Sequence, residues 1–340
     1  MHVYFLHLKR VHLARLCMKY LNKKVMGEMN HTQFNGFILR GLSDIDDTRI
    51  LLFVFFLVMF LLTLTANMLI IMAVQCHAHL HTPMYFFINV LSFLEIWYTT
   101  STAPKHLSLL ITKDNRISYE WCFAQLYMFH SLGTTDCALL AVMAFDRCMA
   151  ICNPLRYTSI MNERMCRCLA VLSWAFGFLA ISIPLAMTIK VPLCQAHIID
   201  HYFCDLAPLL ALACTDISFT IAINSAVIGF AIMFNFIFIL VMYVNIIWAI
   251  MKLKSNTGRM KAFSTCSSHL TVVAIIYGSA FSVYGSPKGP QTANYEKLFS
   301  LVYTVFTPFL NPIIYSLRNN EVKTALRGIF QGKLHIFRFQ

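Results

Sequence analysis

The sequence predicts an all-α membrane protein, a seven-transmembrane helix bundle followed by a short C-terminal amphipathic helix. Three observations carry this. Of 340 residues, 58% are hydrophobic and only 12% charged, against about 25% charged in an ordinary globular domain. Seven stretches with little or no charge each reach the roughly 20 apolar residues that cross a hydrocarbon core. Lys and Arg gather in alternate connections between those stretches. A mean hydropathy of +0.65 excludes a disordered chain, a nucleic-acid-binding domain and most soluble enzymes. The net charge of +12 then marks one membrane face rather than an acidic macromolecular partner.

The spans follow in order. Residues 50–94 form one long run without Asp, Glu, Lys or Arg, broken by the polar patch 75–82 and by Pro83. Two spans result, 50–74 and 83–104, the second containing Glu95. Residues 121–145 give the third, with Asp136 inside it, and 168–189 the fourth. The fifth, 217–251, has 35 residues. As a helix it measures about 52 Å and must tilt or project beyond the bilayer. Residues 262–287 and 298–317 supply the sixth and seventh. After Tyr315, a stretch carrying Arg318, Lys323 and Arg327 has the pattern of a helix on the inner membrane surface.

Charge asymmetry sets the orientation. With the segment before the first span outside, the inner connections hold 13 Lys and Arg, from Arg147 to Arg338, and the outer ones hold 8, from Arg40 to Lys297. The N-terminus is then outside and the C-terminus cytoplasmic. The connection 75–82, with three His and no Lys or Arg, weakens the bias. Asn30-His31-Thr32 is a glycosylation sequon on the outer side. Cys122, Cys194, Cys204 and Cys214 all fall at outer ends or in the outer loop 190–216, where disulfides form. Four cysteines allow three pairings.

Residues 1–28 do not fit this scheme. They carry Lys9, Arg10, Arg15, Lys19, Lys23 and Lys24 against Glu28 alone. Placed outside, they oppose the charge rule, and they lack a signal peptide's apolar core and cleavage site. Met29 directly precedes the sequon, so the expectation is a natural start at Met29 with 1–28 an upstream extension. A basic interfacial helix is the alternative. The division expected is 1–28 extension, 29–49 extracellular segment, 50–317 seven-span bundle and 318–340 cytoplasmic tail.

Four short motifs narrow the class. Leu80-His81-Thr82-Pro83-Met84-Tyr85 opens span two, and Met143-Ala144-Phe145-Asp146-Arg147-Cys148-Met149-Ala150-Ile151-Cys152 closes span three. Lys261-Ala262-Phe263-Ser264-Thr265-Cys266-Ser267-Ser268-His269-Leu270 opens span six, and Pro308-Phe309-Leu310-Asn311-Pro312-Ile313-Ile314-Tyr315 lies in span seven. Together they resemble the vertebrate olfactory receptors, within the rhodopsin-like G-protein-coupled receptors, over about residues 29–330. The chain departs from that pattern in places. Ala66 stands for the family's Gly before Asn67, Phe145 and Cys148 replace the Tyr on either side of Asp146-Arg147, and Asp136 replaces a Glu.

The resemblance implies roles. Arg147, beside Asp146, is restrained in the inactive state and turns toward the G protein in the active one. Tyr243, Tyr277, Asn311, Pro312 and Tyr315 belong to the coupling machinery, Pro312 because it lacks a backbone donor and kinks its helix. Asn67, Glu95, Asp136 and Asn311 meet as an intramembrane polar cluster, holding water or Na⁺ or simply packing as a hydrogen-bonded group. Cys122 pairs with Cys204, and Cys194 with Cys214. The ligand lies in the outer half of the bundle, against Phe129, His130, Gly133 and Thr134 on span three, Asn224, Val227, Ile228 and Ala231 on span five, Tyr277, Ala280, Phe281 and Tyr284 on span six, and Thr304 on span seven. This set is mostly apolar and has no carboxylate, which suits a small volatile odorant and disfavours an amine.

The partners expected are a small volatile odorant, a heterotrimeric G protein of the olfactory stimulatory type and membrane lipid, with no nucleic acid. No cofactor and no enzymatic motif is present. The cluster Cys76, His77, His79 and His81 reads as a solvated inner loop, and His201-Tyr202-Phe203-Cys204-Asp205 as a loop whose Cys204 is committed to a disulfide, so no metal is assigned. Three rival readings stand beside this one. One is a receptor for a non-odorant small molecule outside olfactory tissue. Another is a receptor silenced at Cys148. The third is a transporter, whose paired broken helices in an internal repeat are not found.

Overall fold

A computed structural model describes residues 36–42, 46–112, 114–193, 197–252, 255–284, 292–317 and 320–331. The segment 1–28, Asn30 and Cys194 lie outside the described residues, as does the side chain of Tyr284. Among the described residues, seven long helices run α1 Asp46–Cys76, α2 Pro83–Thr112, α3 Tyr119–Cys152, α4 Glu163–Ile189, α5 Ser218–Lys252, α6 Asn256–Tyr284 and α7, which is composite. α7 comprises Thr292–Leu301, a π-helical turn Val302–Phe306 and Thr307–Leu317. A shorter helix, α8, covers Asn320–Phe330.

The helix ends have local causes. Pro83 opens α2 at the position where its missing donor costs nothing. Ser118 caps α3 by accepting from the Trp121 N–H at 3.3 Å, and Asn162 caps α4 by accepting from Met165 at 3.0 Å. Pro312, inside α7, leaves the Pro308 carbonyl without its helical donor. The Asn67 amide of α1 donates to that carbonyl at 3.2 Å. The helix is thereby tied to its neighbour one turn before Pro312.

Among the described residues, four segments are apolar and long enough to cross a membrane by themselves, Thr48–Cys76, Glu163–Ile189, Ser218–Lys252 and Lys297–Ser316, and Cys266–Ser282 is a shorter apolar helix. α2 and α3 fall short because they carry the bundle's polar interior. Ser92, Glu95, Thr99, Thr102 and His106 of α2 are buried, as are Gln125, His130, Ser131, Thr134 and Thr135 of α3. The outer faces are apolar instead, with Phe55, Val58 and Leu61 on α1, Val171 and Leu179 on α4, and Phe230, Phe234 and Ile237 on α5 all exposed. Polar groups inside and large apolar groups outside is the arrangement lipid imposes. α3 and α4 approach so closely at Gly177 that a Cβ there would stand 2.6 Å from the Ser131 carbonyl.

One feature departs from the all-helical expectation. β1 Gly36–Leu39 pairs antiparallel with β2 Arg116–Ser118 and parallel with β3 Ile198–Ile199. The strands have 4, 3 and 2 residues, too few to show an alternating pattern in sequence. Phe37, Leu39 and Ile199 are fully buried against Cys122 and Cys204. Residues 36–39 are thus a structural part of that end of the bundle.

Candidate functional site

Two ends of the bundle and its middle hold the candidate residues. At the first end, Cys122 of α3 is bonded to Cys204. Gln125, one turn along α3, donates to the Ser101 carbonyl at 2.9 Å and accepts from the Cys204 N–H at 2.9 Å. The loop 197–214 is therefore fixed over α3 by a covalent and a polar tie. Cys214 is also disulfide-bonded. Leu193 and Ala213 form an antiparallel bridge, and the Cys214 N–H donates to Pro192.

The same loop supplies a carboxylate that the sequence-derived ligand set lacks. Asp205 caps the turn Leu206–Leu210 and accepts from the Leu206 N–H at 2.8 Å. It also lies 3.1 Å from His130 Nε2. Burial raises the Asp205 pKa, but the His130 hydrogen bond and charge, with His201 and the Leu206 N–H, more than offset it and hold the carboxyl below its ordinary range. Its neighbour His201 is held neutral to about 4, chiefly by burial, with Lys297 acting in the same sense and Asp205 and Asp200 opposing. Asp200 accepts from Lys297 at 2.6 Å and from Arg40 at 3.5 Å. Burial raises its pKa, and Lys297, Arg40 and His201 outweigh that. Between these charges, the Tyr202 hydroxyl sits 2.9 Å from both Ser300 and Thr304 of α7.

The predicted ligand residues are distributed unevenly. Phe129, His130 and Thr134 are buried on α3. Phe129 stacks on Tyr98 at 5.1 Å and meets Phe203 at 4.7 Å and Tyr303 at 5.9 Å. Gly133 faces the Tyr98 ring, 3.7 Å from where a Cβ would lie. Asn224 is buried and donates to Thr188 of α4 at 3.1 Å, leaving its own carbonyl oxygen without a partner. Ala231 is buried, and Val227, Ile228 and Ala280 are half-buried. Phe281 is 42% exposed, yet its ring meets Phe236 at 5.3 Å. Thr304 stands apart from the rest. It lines a cavity of about 20 Å³ between α1, α2 and α7, with Phe56, Thr99, His106 and Tyr202. At about 10–15 Å³ per water, that space admits only one or two.

In the middle of the bundle, the Asn311 amide donates to Glu95, and Asn67 reaches Thr63 and Pro308 instead of Glu95. Asp136 lies within electrostatic reach of Glu95 and Tyr315. One oxygen each of Asn67, Asp136 and Asn311, and the Tyr315 hydroxyl, are buried without a hydrogen-bond partner. Such a set of unpaired acceptors is suited to water or a small cation. Tyr277 faces Cys137 and packs on Phe236 at 4.9 Å. It therefore joins the rings of α5 and α6 rather than the far end, eight residues and about 12 Å along α6 from His269.

At the far end, Asp146 accepts from Tyr157 at 2.8 Å, and the Arg147 guanidinium donates to the Met84 sulfur. Tyr243 of α5 lies 2.8 Å from His269 Nδ1 of α6, whose Nε2 lies 3.0 Å from the Leu140 carbonyl of α3. His269 thus joins three helices. In the sequence His269 is visible only as part of the span-six motif, because a buried His carries no signal of its partners. Tyr85, at the start of α2, donates to Glu321 of α8 at 2.7 Å. Among the described residues, no three His, Cys, Asp or Glu converge as a metal cluster.

Comparison with known proteins accounts for this arrangement. The family profile named Olfactory receptor matches residues 56–333. The chain is 46% identical to mouse "Olfactory receptor 1M1", over 91% of this chain and 99% of that protein. It is 45% identical to human "Olfactory receptor 11H4", over 87% and 91%, and 45% identical to human "Olfactory receptor 1M1", over 91% and 99%. Multiple apolar helices, a loop stapled to α3 and charged groups at one end of α3 are all present, and by sequence and architecture the chain belongs to the olfactory receptor family.

Proposed function

We propose that this receptor binds small, mostly apolar volatile odorants between α3, α5 and α6, near the disulfide end, and activates a heterotrimeric G protein of the olfactory stimulatory type. It is a receptor and not an enzyme, and it spans the membrane several times. The observation that carries the pocket is Asn224. Its carbonyl oxygen is buried and unpaired, and such a group costs free energy until a donor reaches it. An odorant hydroxyl is such a donor. Farther along α5, about 18 Å from Asn224, the Phe236 ring packs on Tyr277 and Phe281 and adds apolar surface between α5 and α6. Asp205, already paired with His130, offers no free carboxylate to an amine.

The orientation we propose puts the N-terminus outside and the C-terminus in the cytoplasm of the plasma membrane. It rests on the Lys and Arg bias, the sequon at Asn30 and the disulfide-bonded loop. Pairing of Cys194 with Cys214 fits the bridge between Leu193 and Ala213. Residues 50–317 form the receptor bundle, 318–340 its cytoplasmic tail, and 1–28 an extension upstream of it. At the inner end, Arg147, Arg156, Lys252 and Arg259 face the G protein. A ligand shifts the receptor only by its differential affinity for two conformers. Opening the inner end requires α6 to leave α3 and α5, and the Tyr243, His269 and Leu140 contacts are what it must give up.

The test is a dose–response panel of volatile alcohols and matched hydrocarbons or ethers on Asn224→Leu. The pocket predicts about a tenfold loss of potency or more for hydroxyl-bearing agonists and little change for the others. Equal potency of the alcohols on both receptors contradicts it.

A further inference from the structure

Cys148 and Cys152 stand at i and i+4 near the Arg147 end of α3, on one helix face. Their sulfurs are 3.7 Å apart. Both are free thiols, Cys148 buried and Cys152 half-buried. Two thiolates bound at about 2.3 Å to one tetrahedral metal ion lie about 3.8 Å from each other. The pair already has that spacing. A disulfide is a poorer fit, because it needs Cβ atoms about 3.8 Å apart and i,i+4 positions on a helix hold them at about 5–6 Å. The Cys152 sulfur also contacts the Asn245 carbonyl of α5 at 3.7 Å, and the buried Cys266 of α6 is within electrostatic reach of it.

We propose that Cys148 and Cys152 form a bidentate thiolate site for a thiophilic divalent metal ion of the zinc and cadmium class. No third His, Cys, Asp or Glu completes a cluster among the described residues, so water or the Asn245 carbonyl takes the remaining positions. Binding breaks two S–H bonds, forms two S–metal bonds and releases two protons, with no change of oxidation state. The resulting pair of thiolates and the ion are neutral together, so the site does not repel the neighbouring Arg147.

Cd²⁺ titration of the purified full-length receptor tests this, read by thiolate-to-metal charge-transfer absorbance and by equilibrium dialysis. The wild type is expected to bind one Cd²⁺ that Cys148→Tyr and Cys152→Ser each bind about tenfold more weakly or worse, since each leaves one sulfur of a chelate. Cys168→Ser, at an exposed thiol on α4, is expected to leave that site intact. Equal stoichiometry and affinity in the wild type and in Cys148→Tyr, with both melting cooperatively, overturns the proposal. Loss of the site only in Cys168→Ser overturns it as well.

Discussion

Asp205 concentrates the residue-scale chemistry of the loop. It faces His130 at 3.1 Å and caps a helical turn, with its side chain 16% exposed and that of His130 8% exposed. Asp205→Ala removes a partner from a largely buried pair, which costs roughly 3 kcal/mol. A lower melting temperature and reduced surface expression are the expected readouts. Because the folded pKa of Asp205 is depressed, its stabilisation is present above the unfolded carboxylate pKa of about 3.9 and is lost as pH falls through the folded value. His201 acts higher on the scale. Its folded value is about 4 against about 6.5 unfolded, so the unfolded chain takes up a proton first and stability declines as pH falls from about 6.5 toward 4. His201→Phe is expected to flatten melting temperature across that interval, and an unchanged pH slope would count against the burial of a neutral imidazole there. These two residues were visible in the sequence as members of a His-Tyr-Phe-Cys-Asp run. The pairing of Asp205 with His130 was not, because a loop has no periodicity to place an Asp against a His 75 positions away.

At the scale of elements, the sequence was legible where lipid dictates the pattern. Uncharged runs of membrane-spanning length gave α1, α4 and α5 nearly to their ends, since one rule governs every lipid-facing position. Glu95 and Asp136 stood out inside their spans for the same reason, as costly groups that must face inward. The π-helical turn at Val302–Phe306 and the three-stranded sheet were illegible, because both depend on contacts between distant segments. Two variants probe these elements. Gly177→Ala places a Cβ within 2.8 Å of the Thr135 backbone nitrogen. Backbone cannot yield as a side chain can, so a loss of about 1–3 kcal/mol follows, read as a lower melting temperature in detergent. Phe37→Ala empties a fully buried ring site beside the Cys122–Cys204 disulfide. It is expected to cost about 3–5 kcal/mol and to reduce surface expression. Wild-type melting in Phe37→Ala would show that β1 is not part of the folded unit.

Across the whole molecule, three polar systems lie along α3. The loop and its ion pairs close one end, unpaired acceptors around Glu95 fill the middle, and Arg147 with the bonds among Tyr243, His269 and Leu140 holds the other end. The family was readable from four motifs. The choice of partners within each system was not, as Arg147 shows. Its sequence neighbour Asp146 bonds Tyr157, and its own guanidinium contacts Met84. Under the proposed function, ligand binding at one end of the bundle is read at Arg147 on the other. The most direct measurement is cyclic-AMP output from cells expressing the receptor over a panel of small volatile odorants, beside a surface-matched Arg147→Ala control. A concentration-dependent response abolished in the control is the predicted result. A response undiminished in Arg147→Ala would contradict the account.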